Sequence, residues 1–186
     1  MRVVGGRFRG RALAAPDHEG LRPTADRVRE AVFNILVHGI DGFEIEGCRV
    51  IDLFAGTGAL GIEALSRGAG YCLFVEETAA ARALIRTNVE ALGLTGVTRI
   101  FRRDATDLGV VGNIEPFGLA FLDPPYGQGF ADKALMALRD GGWLAPGAIV
   151  VVEERVSAEI ALPGGFSELR RRAYGDTEVV FARYGA

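Results

Sequence analysis

The sequence predicts an α/β fold in which a mostly parallel sheet carries helices on both faces and closes with an antiparallel pair. Three observations lead there. From residue 49 onward, short apolar runs alternate with helix-period patterns. The runs are almost continuously apolar, which is how strands read when both faces of a parallel sheet are covered. The last two runs are joined only at Gly175-Asp176, a link short enough for a hairpin.

Taken in order, residues 2–13 alternate around two glycines. Val3, Val4, Phe8 and Leu13 are apolar, Arg7, Arg9 and Arg11 lie between them, and Gly5-Gly6 supplies a turn, so a short β-hairpin is expected. An irregular stretch, APDHEGLRP, follows. Thr24 suits a helix N-cap; beyond it Val28, Val32, Ile35 and Leu36 share one face, and Gly39 and Gly42 end the helix. Strands are expected at 49–54, 71–76, 98–102, 117–122 and 148–153, with helices at 59–67, 79–92 and 130–139. The tail reads as strands at 167–174 and 177–184. Residues 1–20 form an N-terminal hairpin extension and 21–186 a single catalytic-sized domain, without internal repeats or low-complexity linkers.

Composition narrows the function classes. Apolar residues make up 49% and charged residues 24%, the balance of a globular chain with a real core. No apolar run approaches the roughly 20 residues that span a bilayer. The opening MRVVGGRFRG lacks an apolar h-region, so no signal peptide is expected. Cys48 and Cys72 form no CxxC and read as buried thiols in a reducing cytoplasm. His18 and His38 are isolated, so neither a metal site nor a Ser-His-Asp triad is expected. Net charge is −3, yet residues 1–30 hold seven arginines against four acids. That asymmetry fits a polyanion met at one end of the chain or a solvated arginine-rich surface.

The first strand–helix turn reads Asp52-Leu53-Phe54-Ala55-Gly56-Thr57-Gly58-Ala59-Leu60-Gly61. Its glycines let the backbone turn sharply and approach a ligand. The turn matches G-x-G-x-x-G, and Glu76 lies 20 residues past Gly56, so a nicotinamide-dependent oxidoreductase is a rival reading. Asp52 separates the two. Its carboxylate would repel a pyrophosphate, whereas the sulfonium and ammonium of S-adenosylmethionine would be attracted. Glu76 suits the ribose diol of either cofactor. Asp104-Ala105 follows the third strand at the edge where an adenine would lie. Asp52, Phe54, Gly56, Thr57, Gly58, Glu76, Asp104 and Ala105 are therefore the candidate cofactor residues.

The fourth strand ends in Asp123-Pro124-Pro125-Tyr126. Two prolines remove two backbone donors and leave only carbonyl acceptors. An exocyclic amine on a base is a poor nucleophile because its lone pair is delocalised into the ring. Accepting its two N–H bonds at the Asp123 carboxylate and the Pro124 carbonyl would hold it pyramidal, an arrangement better matched to the transition state than to the planar ground state. Proton loss can follow transfer, so no strong base is needed. Tyr126 offers a stacking face worth about 1–3 kcal/mol, against the few kcal/mol needed to extrude a base. An oxidoreductase has no use for this motif.

With these residues in view, the chain resembles the bacterial 16S rRNA guanine-N2 methyltransferase family, the enzymes named for guanine 966. Four blocks carry the resemblance: VVGGRFRGRAL (3–13), LRPTADRVREAVFNIL (21–36), DLFAGTGALGIEALSRGA (52–69) and FLDPPYG (121–127). The second block is specific to the family, whereas the third and fourth are shared by many amino-methyltransferases. The resemblance implies a class I methyltransferase Rossmann-like fold with a seven-stranded sheet and a reversed terminal strand. It implies S-adenosylmethionine as donor and a guanine amine in small-subunit rRNA as target. Asp52, Gly56 and Gly58 would hold the methionine part, Glu76 the ribose and Asp104 the adenine, while Asp123, Pro124 and Tyr126 handle the base. Thr78 stands where many related enzymes have an aspartate, and no role is expected of it.

The resemblance gives the arginines a task. Arg2, Arg7, Arg9 and Arg11 would contact phosphates, which position an enzyme without reading sequence. Arg22, Thr24 and Arg27 would close over the site or orient RNA; equally, Thr24 would only cap its helix and Arg27 pair with Glu30. Arg170, Arg171 and Arg172 read as a solvated strand rim. The expected partner is 16S rRNA within small-subunit particles, met by a cytoplasmic monomer. Two rivals remain. A DNA adenine-N6 or cytosine-N4 methyltransferase could use the same Asp-Pro-Pro-Tyr, although the 48 residues before the first core strand leave no room for a separate target-recognition domain. A non-catalytic nucleic-acid-binding module on a methyltransferase fold would have little reason to retain all these acids.

Overall fold

The structure, a computed structural model, describes residues 1–16 and 23–185, with the backbone alone at Pro23 and Thr24. Seven strands form one sheet: β1 (Arg49–Leu53), β2 (Tyr71–Val75), β3 (Thr98–Phe101), β4 (Phe117–Leu122), β5 (Leu144–Arg155), β6 (Phe166–Tyr174) and β7 (Thr177–Tyr184). The helices are α1 (Pro23–His38), α2 (Ala59–Ser66), α3 (Ala79–Ala91) and α4 (Phe130–Asp140). Strand order is β3-β2-β1-β4-β5-β7-β6. Pairs among β1 to β5 are parallel, and β7 runs antiparallel to both of its neighbours. The reversed strand thus lies one place in from the edge, with β6 outside it.

Each strand feeds two cores. Val50, Phe74, Leu119, Phe121, Val151 and Phe181 point to one side, where α1, α2, α3 and the N-terminal segment cover them. Ile51, Leu53, Val75, Leu122, Val150 and Val152 point to the other, onto α4 and the loop before β4. This is why the strands read as unbroken apolar runs. A fully buried Phe33 or Leu36 is worth about 1.5–3 kcal/mol. The buried Trp143 keeps its indole N–H satisfied by donating to the Gly109 carbonyl at 2.8 Å.

The N-terminal segment pairs with itself antiparallel, Val3 N–H donating to the Arg11 carbonyl at 2.9 Å and Leu13 N–H to the Met1 carbonyl at 3.0 Å, but its turn is longer than expected. It doubles back through a single antiparallel bridge, Arg2 to Ala12, and turns through a 3-10 helix at Gly6–Phe8 rather than at Gly5-Gly6. Its regularity goes into docking: Val4 N–H donates to Glu63 Oε2 at 2.9 Å, Phe8 N–H to Ser66 Oγ at 3.0 Å, and Ser66 Oγ to the Gly5 carbonyl at 2.6 Å. α2 is buried along most of its length because this arm covers it. α1 begins at Pro23, so Thr24 lies inside the first turn instead of capping it, and proline's fixed φ suits that first position. Cys72 is buried as expected, but Cys48 is only half-buried.

Strand order reverses between β1 and β4, and the carboxyl ends of those strands flank the crevice where open α/β sheets bind ligands. Asp52 stands on β1 and Asp123 follows β4.

Candidate active site

β1 runs into a loop built for close approach. Phe54 has φ 57° and is the non-glycine residue with positive φ among those described. For a bulky aromatic that conformation costs about 1–3 kcal/mol. Its ring stacks on Phe130, centroids 6.3 Å apart at 10°. Gly58 (φ 79°) starts α2, and at Gly61 a Cβ would come within 2.5 Å of Cys72 Sγ and the Phe74 ring. Only glycine lets α2 lie that close to β2.

The strand-end acids are already oriented. Glu76 Oε2 accepts the Gly56 N–H at 2.9 Å, while Oε1 accepts the Thr78 N–H at 2.9 Å and its hydroxyl at 2.8 Å. Thr78 therefore has the task of holding Glu76, which its sequence position did not reveal. A carboxylate has roughly four acceptor positions, so one remains on Oε2. Asp104 Oδ1 accepts the Thr106 N–H at 2.8 Å and hydroxyl at 2.7 Å. Asp52 is buried and accepts the Gly61 N–H at 2.9 Å. Burial pushes its carboxyl up to about 8; the Gly61 bond lowers it, and the Glu76 charge adds to the rise.

At the end of β4, Pro124 is buried, whereas Asp123, Pro125 and Tyr126 are exposed. The loop is pinned from β5. Tyr126 donates its hydroxyl to Glu153 Oε1 at 2.9 Å, and Gly127 N–H donates to Glu154 Oε1 at 3.1 Å. Burial raises the Tyr126 hydroxyl; a Thr177 hydrogen bond opposes this, and the Glu153 and Asp123 charges reinforce it. Glu153 is also raised by burial, against the Tyr126 bond. Glu153 and Glu154 escaped the sequence reading although they carry its own signal, acids closing an apolar strand.

Two cavities adjoin at these residues. One of about 520 Å³ is lined by Glu76, Asp104, Ala105, Pro124 and Pro125. The other, about 1270 Å³, is lined by Asp52, Thr57, Arg29 and Glu153. Phe54, Gly56, Thr78, Asp123 and Tyr126 line both and so form the shared wall. Gly58 lines neither and serves the turn. Among the described residues no cluster of His, Cys, Asp and Glu could hold a metal, and no helix is long and apolar enough to cross a membrane.

The arginines are dispersed differently. Arg2, Arg7, Arg9, Arg11 and Arg27 are exposed. Arg7 lies over the Phe8 ring at 4.5 Å, and Arg11 donates to the Ala91 carbonyl at 3.2 Å. Arg22 and the Thr24 side chain lie outside the described residues. The ion pair in α1 belongs to Arg29, not Arg27: buried Arg29 donates to Asp26 Oδ1 at 2.8 Å and to the Arg2 carbonyl, and pairs with Glu63 at 3.6 Å. Arg171 pairs with Glu168 and Glu178 along the outer strands, as a solvated rim would.

Residues 1–183 match the family model described as Conserved hypothetical protein 95, Cons_hypoth95. The chain belongs to the Cons_hypoth95 family. This Cons_hypoth95 chain is 38% identical over 177 residues to ribosomal RNA small subunit methyltransferase D of Escherichia coli strain K12, covering 94% of this chain and 85% of that protein. It is 33% identical over 177 residues to the protein of the same name from Haemophilus influenzae, covering 94% and 89%. The solved structure of yhhF from Escherichia coli superposes with a TM-score of 0.84 at 32% identity, covering 100% of this chain and 98% of that one. A more distant structure shares the fold: the 16S rRNA N2 G1207 methyltransferase RsmC of T. thermophilus, in complex with AdoMet and guanosine, at TM-score 0.61 and 21% identity, covering 90% and 44%. The Cons_hypoth95 chain is a methyltransferase with the class I fold.

Proposed function

We propose that the protein transfers a methyl group from S-adenosylmethionine to the exocyclic N2 amine of a guanine in 16S rRNA, acting as a cytoplasmic monomer on assembled small-subunit particles. One observation carries the reading: Asp123 and Tyr126 stand on the wall shared by two cavities, so a donor in one meets an acceptor in the other. Ribosomal RNA as the substrate class is supported by the relatives' names.

The donor would lie along the smaller cavity and the adjoining Asp52 end of the larger one, leaving the rest of the larger cavity to the acceptor. Glu76 keeps an acceptor position for a ribose hydroxyl, and Asp104 and Ala105 would flank an adenine. Asp52, with Gly56, Thr57 and Gly58 at the turn, would take the methionine end; a buried carboxyl of raised pKa is stabilised as carboxylate by an incoming ammonium. S-adenosylmethionine supplies an electrophilic methyl group when bound. The chain's own residues prepare the nucleophile. Asp123 and the Pro124 carbonyl accept the amine's N–H bonds, Pro125 keeps the backbone free of a competing donor, and Tyr126 stacks the base with its ring fixed by Glu153. Residues 1–20 act as an RNA-binding arm on the catalytic domain 21–186, with Arg2, Arg7, Arg9 and Arg11 on phosphates and Arg22, Thr24 and Arg27 orienting the RNA.

The test is methyl transfer from labelled S-adenosylmethionine to rRNA, to small-subunit particles from a strain lacking the enzyme, and to genomic DNA, with the product nucleoside identified by mass spectrometry. N2-methylguanosine in 16S rRNA is the expected product, with particles preferred. Label confined to DNA, as N6-methyladenine or N4-methylcytosine, would overturn the reading.

A further inference from the structure

We infer that Glu153 makes this site select guanine, by accepting the N1–H of the target base beside the amine held at Asp123. The inference rests on the guanine-N2 reading and assigns the residue that enforces it.

The placement follows from strand register. Leu122, the last residue of β4, pairs with Val152 of β5, so the chain leaves β4 at Asp123 beside the point where β5 continues through Glu153. Leu122 and Val152 point into the core beneath α4. Side chains alternate along a strand, and Glu153 accordingly lines the larger cavity, as do Asp52 and Asp123. Glu153 Oε1 receives the Tyr126 hydroxyl at 2.9 Å, which occupies one of roughly four acceptor positions. Asp123, Tyr126 and Glu153 line the same cavity, so a base stacked on the Tyr126 ring with its amine at Asp123 would bring the neighbouring ring position to Glu153.

Base chemistry supplies the selectivity. On guanine the Watson–Crick-edge ring position next to the N2 amine is N1–H, a donor. On adenine the position next to the amine is N1, and on cytosine N3; both are acceptors. Asp123 and Pro124 offer acceptors only, which any of the three amines could use. A carboxylate one strand away discriminates: it pairs with guanine N1–H and faces a lone pair in the other two. A buried polar group left unpaired by the wrong substrate is the strongest source of rejection, on the order of 10⁴-fold in favourable cases. Reading the Watson–Crick edge of an extruded base is the usual means of such recognition.

The test uses 2-aminopurine, which keeps the N2 amine but presents a lone pair at N1. Small-subunit particles are reconstituted with guanine or 2-aminopurine at the methylated position, and kcat/KM is measured for wild type and Glu153→Gln. Wild type should prefer guanine by about 100-fold or more. In Glu153→Gln, whose amide can donate to N1, the preference should shrink at least about tenfold, with S-adenosylmethionine affinity unchanged as the check on folding. If Glu153 merely held Tyr126, both substrates would suffer equally and the ratio would stay at the wild-type value, which overturns the inference. Failure of wild type to methylate guanine in particles would instead overturn the reading beneath it.

Discussion

Asp52 Oδ2 accepts the Gly61 N–H at 2.9 Å across the first strand–helix turn, inside a site that shuts its carboxyl away from water. Burial raises its pKa from 3.8 to about 8. Between those values the folded protein holds a proton that the unfolded chain has released, so stability from this group falls as pH rises through that range and is flat above it. Asp52→Asn keeps an oxygen for Gly61 but cannot titrate. Its melting temperature should exceed that of wild type at about pH 9 and approach it at about pH 5. S-adenosylmethionine binding should release close to one proton near pH 7, read by calorimetry in buffers of different ionisation enthalpy. Asp52→Asn should abolish that release and weaken binding. Equal proton release in both proteins would take Asp52 out of the cofactor site.

Asp123 occupies the wall between the cavities but lies beyond the residues that anchor the β1 turn. Asp123→Ala should therefore cut kcat by about 100-fold or more, the scale seen when one transition-state hydrogen-bond partner is lost. Its affinity for S-adenosylmethionine should stay within a few-fold of wild type, measured by calorimetry without RNA. A parallel collapse of cofactor binding would move Asp123 into the cofactor site.

The fold was legible because its signals are local. Unbroken apolar runs such as 117–122 betray a strand buried on both faces, and glycines such as Gly93 stop helices where the pattern ends. The acids closing β1 and β2 were legible for the same reason. The docking of the N-terminal segment was not legible because its partners there, Glu63 and Ser66, lie about sixty residues away, where periodicity carries no information. Thr78 and Glu153 hold the candidate site residues Glu76 and Tyr126 by hydrogen bonds; such contacts exist only once the chain is folded. Arg29 looked like one more helix arginine until burial separated it from exposed Arg27.

Arg7, Arg9 and Arg11 are exposed on an arm whose neighbours Met1 and Pro16 line the larger cavity. Replacing all three by alanine removes cations without touching the cavity lining. RNA affinity should fall, and the slope of log K against log salt should flatten by about 2 to 3, roughly 0.7–0.9 for each lost phosphate contact. S-adenosylmethionine affinity should not move. A salt slope equal to that of wild type would reduce the three arginines to surface.

Glu63 is a fully buried acid that ties three segments together. It accepts the Val4 N–H at 2.9 Å and pairs with Arg67 at 2.8 Å and with Arg29 at 3.6 Å. Glu63→Ala would leave two largely buried guanidiniums facing an empty site, a loss of about 3–5 kcal/mol. For a domain of this size that corresponds to a melting temperature lower by roughly 10 °C. The damage should concentrate at the N-terminal arm, because Val4 loses its acceptor while the sheet keeps its own pairing. Trypsin should then cut at Arg7, Arg9 or Arg11 much faster than in wild type before the core is digested. Glu63→Gln, which preserves an acceptor for Val4, should hold the arm better than Glu63→Ala at similar loss of ion pairing. Equal cleavage rates in the two variants would mean that charge, rather than the Val4 bond, fastens the arm to α2.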